Sequence, residues 1–123
     1  MVRRTYQNWL QDIVEWGERI ETYIGLNTYD EFLQNRLLQD AVIRCLEVVG
    51  EAAGQLMRDE TIAADTFEML DLKGAYAVRN KLIDGYFGAE PPLVWAAAIN
   101  SVPRLLTEAK RLLDQRNRVS SDE

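Results

Sequence analysis

Thr5–Ile24, TYQNWLQDIVEWGERIETYI, places Tyr6, Trp9, Leu10, Ile13, Trp16, Ile20, Tyr23 and Ile24 at steps of three and four residues. That is the period of one face of an α-helix, not the alternation of a strand. Gly25 then ends the segment, as glycine does where a helix must turn out of its own path. No stretch of the remaining chain alternates in the manner of a strand. The fold class is therefore all-α. The aromatic stripe Tyr6, Trp9, Trp16 and Tyr23 is expected to be packing surface.

Outward from this helix the pattern repeats. Thr28-Tyr29-Asp30-Glu31 has the form of a capping box, in which the Thr28 hydroxyl and the Glu31 carboxylate each satisfy a free backbone N–H. It predicts a long helix from there to about Met57. Gly50 and Gly54 lie inside that helix, where each costs about 1 kcal/mol relative to alanine, and so they mark the close approach of another helix. Asp65-Thr66-Phe67-Glu68 could open a short helix, and a further one is predicted from about Ala75 to Asp84. Pro91 and Pro92 suit the first turn of a last helix. Its stripe contains Trp95, Ala98, Ile99, Val102, Leu105, Leu106, Ala109, Leu112 and Leu113, with Pro103 inside it as an expected kink. The sum is an antiparallel bundle of four to five helices, one domain over residues 1–118, with a disordered tail at 119–123.

Composition narrows the chemistry. The 123 residues contain no histidine and one cysteine. A Cys/His metal centre, an internal disulfide and an imidazole-dependent triad are all excluded. No metal and no cofactor are expected. Cys45 sits on an apolar stretch and reads as a small buried hydrophobe. No apolar run reaches the roughly 20 residues of a membrane span, and Arg3 and Arg4 are not followed by the apolar core of a leader. A cytoplasmic protein with no membrane association is expected. The net charge of −6 disfavours generic nucleic-acid binding, because phosphate affinity comes mainly from Lys and Arg. Any RNA contact needs a local cationic patch. The C-terminal Lys110, Arg111, Arg116 and Arg118 are one candidate, though a solvated helix end explains them as well.

One segment is richer in chemistry than a helix end requires. Arg79-Asn80-Lys81-Leu82-Ile83-Asp84-Gly85-Tyr86 gathers two cations, an amide, a carboxylate and a phenol. It resembles the R-N-x-L-x-H-G-Y signature of the HepT-like branch of the HEPN superfamily, with Asp84 where that signature has histidine. Other stretches are similar to the same family. They include Tyr29-Asp30-Glu31-Phe32, Gln39 to Arg44, Leu46 to Ala52, and Trp95 followed by Val102-Pro103-Arg104-Leu105-Leu106. The resemblance covers about Tyr6 to Leu113.

The resemblance implies a HEPN bundle and a metal-independent endoribonuclease that acts on RNA as a homodimer. It implies the toxin half of a prokaryotic toxin–antitoxin pair, whose partner is a minimal nucleotidyltransferase of the MntA type. That partner would silence the toxin by AMPylation of the motif tyrosine, here Tyr86. Arg79 and the position of Asp84 would be catalytic, with Asn80 orienting a phosphate or a catalytic side chain. The alternative the residues leave open is a non-catalytic HEPN binding module acting through its partner interface.

The chemistry explains why position 84 matters. Metal-free RNA cleavage uses the ribose 2′-OH as nucleophile and needs a group that moves protons near neutral pH. It also needs a cation for the charge that builds on phosphate, and a guanidinium binds phosphate oxygens in a bidentate manner. Histidine, with an ordinary pKa of about 6.5, suits proton transfer. Aspartate holds no proton to give at neutral pH and sets negative charge where phosphate should lie. An ion pair between Asp84 and Arg79 is expected, and little ribonuclease activity. On an ideal helix these two residues are about 140° apart, whereas Arg79 and Tyr86 nearly share a face.

Overall fold

The computed structural model describes residues 5–62, 65, 67, 70–84 and 90–122, with side chains of the last helix described to residue 115. Among these the regular structure is entirely helical. The elements are α1 (Tyr6–Ile24), α2 (Tyr29–Leu33), α3 (Arg36–Arg58), α4 (Leu72–Asp84), α5 (Pro91–Ala96), a π-helical turn (Ala97–Ser101) and α6 (Val102–Asp122). Since α5, the π turn and α6 run on without a break, the bundle has four principal rods and the short α2. This is the antiparallel bundle of four to five helices expected from the periodicity. The tail expected at 119–123 falls outside the residues described with side chains.

α1 buries Leu10, Ile13, Gly17, Ile20 and Ile24, the same stripe its spacing predicts. It stops at Gly25, whose φ of +50° is a conformation few side chains tolerate. Trp9 and Trp16 are half-buried against the core, whereas Tyr23 is exposed.

The long helix predicted from Thr28 is instead two. α2 ends after one turn, and α3 is capped afresh by Asn35, whose backbone is extended and whose Oδ1 accepts the Leu38 N–H at 3.0 Å. Asparagine offers the backbone an alternative to the helical ladder and so favours caps over interiors. Gln39 Nε2 donates to the Phe32 and Leu33 carbonyls, at 2.9 and 3.2 Å, and so ties the start of α3 back to the end of α2. Apolar spacing continues across the break, so it gives no hint of it. Leu37, apolar by type, is 81% exposed.

The capping box at Thr28 is present as expected. Glu31 N–H donates to Thr28 Oγ1 at 3.2 Å, and Thr28 N–H donates to Glu31 Oε1 at 2.9 Å. It holds a five-residue helix that carries Phe32, fully buried and stacked 5.3 Å from the Trp95 ring. Thr28→Ala is expected to lower stability by about 1 kcal/mol, and Thr28→Ser to restore most of it. Chemical denaturation with both variants measures this.

α4 starts three residues before the predicted Ala75. Asp71 is its cap, with Oδ1 accepting the Gly74 N–H at 2.9 Å. The short helix predicted at Asp65–Glu68 lies largely outside the described residues. Phe67, which is described, is buried and stacks on Tyr6 at 6.0 Å. Pro91 and Pro92 open α5 as predicted. The kink predicted at Pro103 takes the form of the π turn. The Val102 N–H donates to Ala97 O, five residues back. This widening precedes the residue that has no N–H to give and whose ring crowds the carbonyl four residues back.

The core forms two connected clusters. One joins Ile20, Phe32, Val42, Cys45 and Leu46 to Val94, Ala98 and Val102. The other joins Leu10, Ile13, Val49, Ala53 and Leu56 to Leu105 and Ala109. Among the described residues no polar or charged residue is buried. Cys45 is 1% exposed, and burial pushes its thiol up, with Arg19 and Arg44 pulling weakly the other way. It is a core side chain, as its apolar setting suggested. No helix of the described residues is long and apolar enough to cross a membrane.

Candidate active site

The site is built on the crossing of α3 and α4, which run antiparallel. Gly50 and Gly54 make the crossing possible. A Cβ on Gly50 would stand 2.1 Å from Arg79 Cβ and 2.8 Å from the Ala75 carbonyl, and one on Gly54 would stand 2.7 Å from the Tyr76 ring. The close approach inferred from these two glycines is therefore real, and the helix it admits is the one that carries the motif.

This seam fixes Arg79. Its side chain is 27% exposed, the most covered of the cations in the ion pairs of the described residues. Nη2 lies 3.2 Å from Glu51 Oε2, and Nη1 donates to Asn80 Oδ1 at 2.9 Å. The guanidinium carbon is 5.7 Å from the centre of the Tyr76 ring. Arg79 is thus held on three sides, by a carboxylate across the seam, an amide next in sequence and an aromatic face three residues earlier.

Asp84 is elsewhere. It is the last residue of α4 and is exposed. The expected ion pair between Arg79 and Asp84 does not form: the carboxylate on Arg79 is Glu51, and among the described residues Asp84 is in no ion pair. The reason is the helix itself, which turns Asp84 about 140° away from Arg79 while Glu51 faces Arg79 directly across the seam. Tyr86 lies outside the described residues.

Three residues of this cluster escape a reading of the motif alone. Glu51 matters as the partner of Arg79, not as a metal ligand. Gln55 Nε2 donates to Glu51 Oε1 at 2.9 Å, and Arg58 Nη2 approaches the same oxygen at 3.8 Å. Arg58 also lies over the Tyr76 ring, at 5.4 Å. The available signal was Gly50: a glycine at a helix crossing places the next residue at the edge of the seam. Among the described residues no group of three or more metal-ligating side chains gathers.

A separate groove of about 320 Å³ lies on another face of α4, lined by residues such as Leu46, Val78, Ala97, Val102 and Leu105. Arg79, Asn80 and Asp84 do not line it. Of the C-terminal cations considered for RNA contact, Arg116 and Arg118 lie outside the residues described with side chains, and the other two have acid partners of their own. Lys110 lies 3.6 Å from Glu18, and Arg111 is paired closely with Glu108.

The comparisons with known proteins agree with the arrangement. The family model described as "Ribonuclease HepT-like" matches residues 13–112, which include the α3–α4 seam and the motif. The chain is 34% identical to "Putative RNase MJ0127" of Methanocaldococcus jannaschii over 113 residues, 92% of this chain and 91% of the relative. It is 31% identical to "Putative RNase MJ1216" of the same organism over the same shares. It is 29% identical to "Probable ribonuclease HepT" of Thermococcus cleftensis over 90% of this chain and 98% of the relative. No solved structure matches. A matched region of this extent, with the motif helix seated on the glycine seam, assigns the chain to the HepT-like ribonuclease family of the HEPN superfamily.

Proposed function

We propose that the protein is the toxin of a prokaryotic HEPN/MNT toxin–antitoxin pair, a metal-independent endoribonuclease fold disarmed by Asp84. The observation that carries this reading is the preorganised Arg79, held by Glu51 and Asn80 on the helix whose exposed last residue is position 84. In the reaction the ribose 2′-OH gives its proton to a base and attacks the adjacent phosphorus, and the 5′-oxygen takes up a proton and leaves, with a 2′,3′-cyclic phosphate as the product. Arg79 stabilises charge on the non-bridging oxygens, and Asn80 orients the guanidinium. Proton transfer to the leaving oxygen falls to position 84, where a carboxylate performs it poorly at neutral pH. Two copies acting as a homodimer would bring two such helix ends together.

The partner is a minimal nucleotidyltransferase of the MntA type. The Tyr86 hydroxyl oxygen attacks the α-phosphorus of ATP, pyrophosphate leaves, and the hydroxyl proton is lost to solvent. Incubation with this partner and ATP, followed by mass spectrometry of the tryptic peptides, should find AMP on Tyr86. An unmodified Tyr86 beside a partner that is active on other substrates would count against this regulation.

A second reading, a non-catalytic binding module, draws support from the same Glu51. In that case the pair it makes with Arg79 is structural and Asp84 is part of a recognition surface. Stable complex formation with the partner, together with no cleavage after Asp84→His, would decide for it.

A further inference from the structure

Glu51 is shared between two arginines. Arg79 approaches its Oε2 at 3.2 Å and Arg58 its Oε1 at 3.8 Å, and both guanidinium groups lie against the one Tyr76 ring. The other ion pairs of the described residues join one cation to one acid: Arg19 to Glu15, Arg44 to Glu47, Lys110 to Glu18 and Arg111 to Glu108. Here two cations and one carboxylate leave a formal local charge of +1, on a chain whose net charge is −6. The three side chains are 51%, 27% and 40% exposed for Arg58, Arg79 and Glu51, so solvent and a ligand both reach them. Ion pairs this exposed contribute little to stability, and a purely structural staple would need only one arginine. Arginine also suits phosphate better than lysine does, because its planar fork matches two oxygens at once.

We infer that Arg58 and Arg79, arranged about Tyr76, form a two-cation subsite for the RNA phosphate backbone, with Glu51 as a displaceable counter-ion. Without RNA the carboxylate holds both guanidinium groups at the seam. Phosphate oxygens replace it on binding, and the local charge offered to the strand rises from +1 to +2. The subsite rests on the ribonuclease reading above and extends it to a second cation, one that lies on α3 and outside the motif.

The test is binding of a fluorescent single-stranded RNA oligonucleotide carrying 2′-O-methyl riboses, which removes the nucleophile. Anisotropy is followed across a salt series with the full chain and its variants. Arg58→Gln should weaken binding about threefold to tenfold and reduce the slope of log K against log salt by about 0.7, one phosphate contact on a single strand. Glu51→Gln should have the opposite sign and tighten binding, and the gain should vanish in Glu51→Gln/Arg58→Gln. Glu18→Gln and Lys110→Gln make the same charge changes at a one-to-one pair and should leave the slope unmoved. An unchanged slope in Arg58→Gln overturns the subsite, and Arg58 is exposed enough that this variant keeps its fold. Weaker binding by a Glu51→Gln protein with the parent's unfolding midpoint also overturns it.

Parallel cleavage assays on unmodified RNA, in the Asp84→His background, separate the two ideas. Cleavage without a slope change in Arg58→Gln keeps the ribonuclease reading and removes the subsite. The expected slope changes without cleavage keep the subsite and remove the ribonuclease reading. Neither binding nor cleavage removes both.

Discussion

Asp84→His is expected to raise the rate of RNA cleavage by about 10² to 10⁴, the usual contribution of a positioned general acid or base. Position 84 is exposed at the end of α4, so imidazole enters without repacking the core. Arg79 needs no rearrangement, because its carboxylate partner is Glu51 and not Asp84. On the proposed reading, the deficiency lies in proton transfer and in the negative charge at position 84. Asp84→Asn divides these two effects. It removes the charge but has no proton acidic enough to transfer, and should recover only a small part of the rate. The histidine form should show a rate that titrates near pH 6.5, about the ordinary pKa of imidazole. Cleavage by the Asp84 chain at the rate of Asp84→His would sink the account. Recovery by asparagine equal to that by histidine would replace proton transfer with electrostatics.

Gly50→Ala is expected to destabilise the protein by about 2 kcal/mol and to remove Arg79 from its place. The added Cβ meets Arg79 Cβ at 2.1 Å and the Ala75 carbonyl at 2.8 Å. Both are fixed to the α4 backbone, so no rotamer change relieves the clash and the helices must part. Overpacking of this kind costs about 3 kcal/mol at the upper end of its usual range, and the better helix propensity of alanine returns only about 1 kcal/mol. Gly17→Ala is the natural contrast. Its Cβ would meet the tip of Leu106 at 3.4 Å, an ordinary contact with a flexible side chain. That change should be neutral or stabilise by up to about 1 kcal/mol. Urea unfolding of the two variants measures the difference. Activity of Gly50→Ala in the Asp84→His background should fall further than stability alone explains, since the Arg79–Glu51 pair spans the displaced seam. Equal unfolding midpoints for Gly50→Ala and Gly17→Ala would show that the crossing is looser than its geometry.

How much of this was legible beforehand depended on whether the deciding contact was local. The spacing from Thr5 to Ile24 gave α1 to within one residue, because a core-facing helix writes its period directly into the sequence. The capping box at Thr28 and the prolines opening α5 were equally plain. The break at Asn35 was not, since apolar spacing runs through it and the competing signal is one side-chain hydrogen bond. Asp71 as the cap of α4 was hidden in the same way. At the site, Arg79 and Asn80 stood out as a motif, and Gly50 and Gly54 announced a crossing. What joined them was absent: Glu51 is far from Arg79 in sequence, and only the crossing tells that the two meet. The supposed pairing of Arg79 with Asp84 shows the converse error, in which nearness along the chain was allowed to outweigh the rotation of the helix.

The way α4 is attached has a further consequence. Its packing is chiefly against α3 across the two-glycine seam, and of its own side chains only Leu72 and Leu82 are buried in the two core clusters, to which α1, α3 and α6 give most of the rest. Regions with few apolar partners open at lower free energy than the core around them. The motif helix is thus the leaf of this bundle that can lift while the remaining frame stays folded. Its amide protons should exchange well ahead of those of α1 and α3.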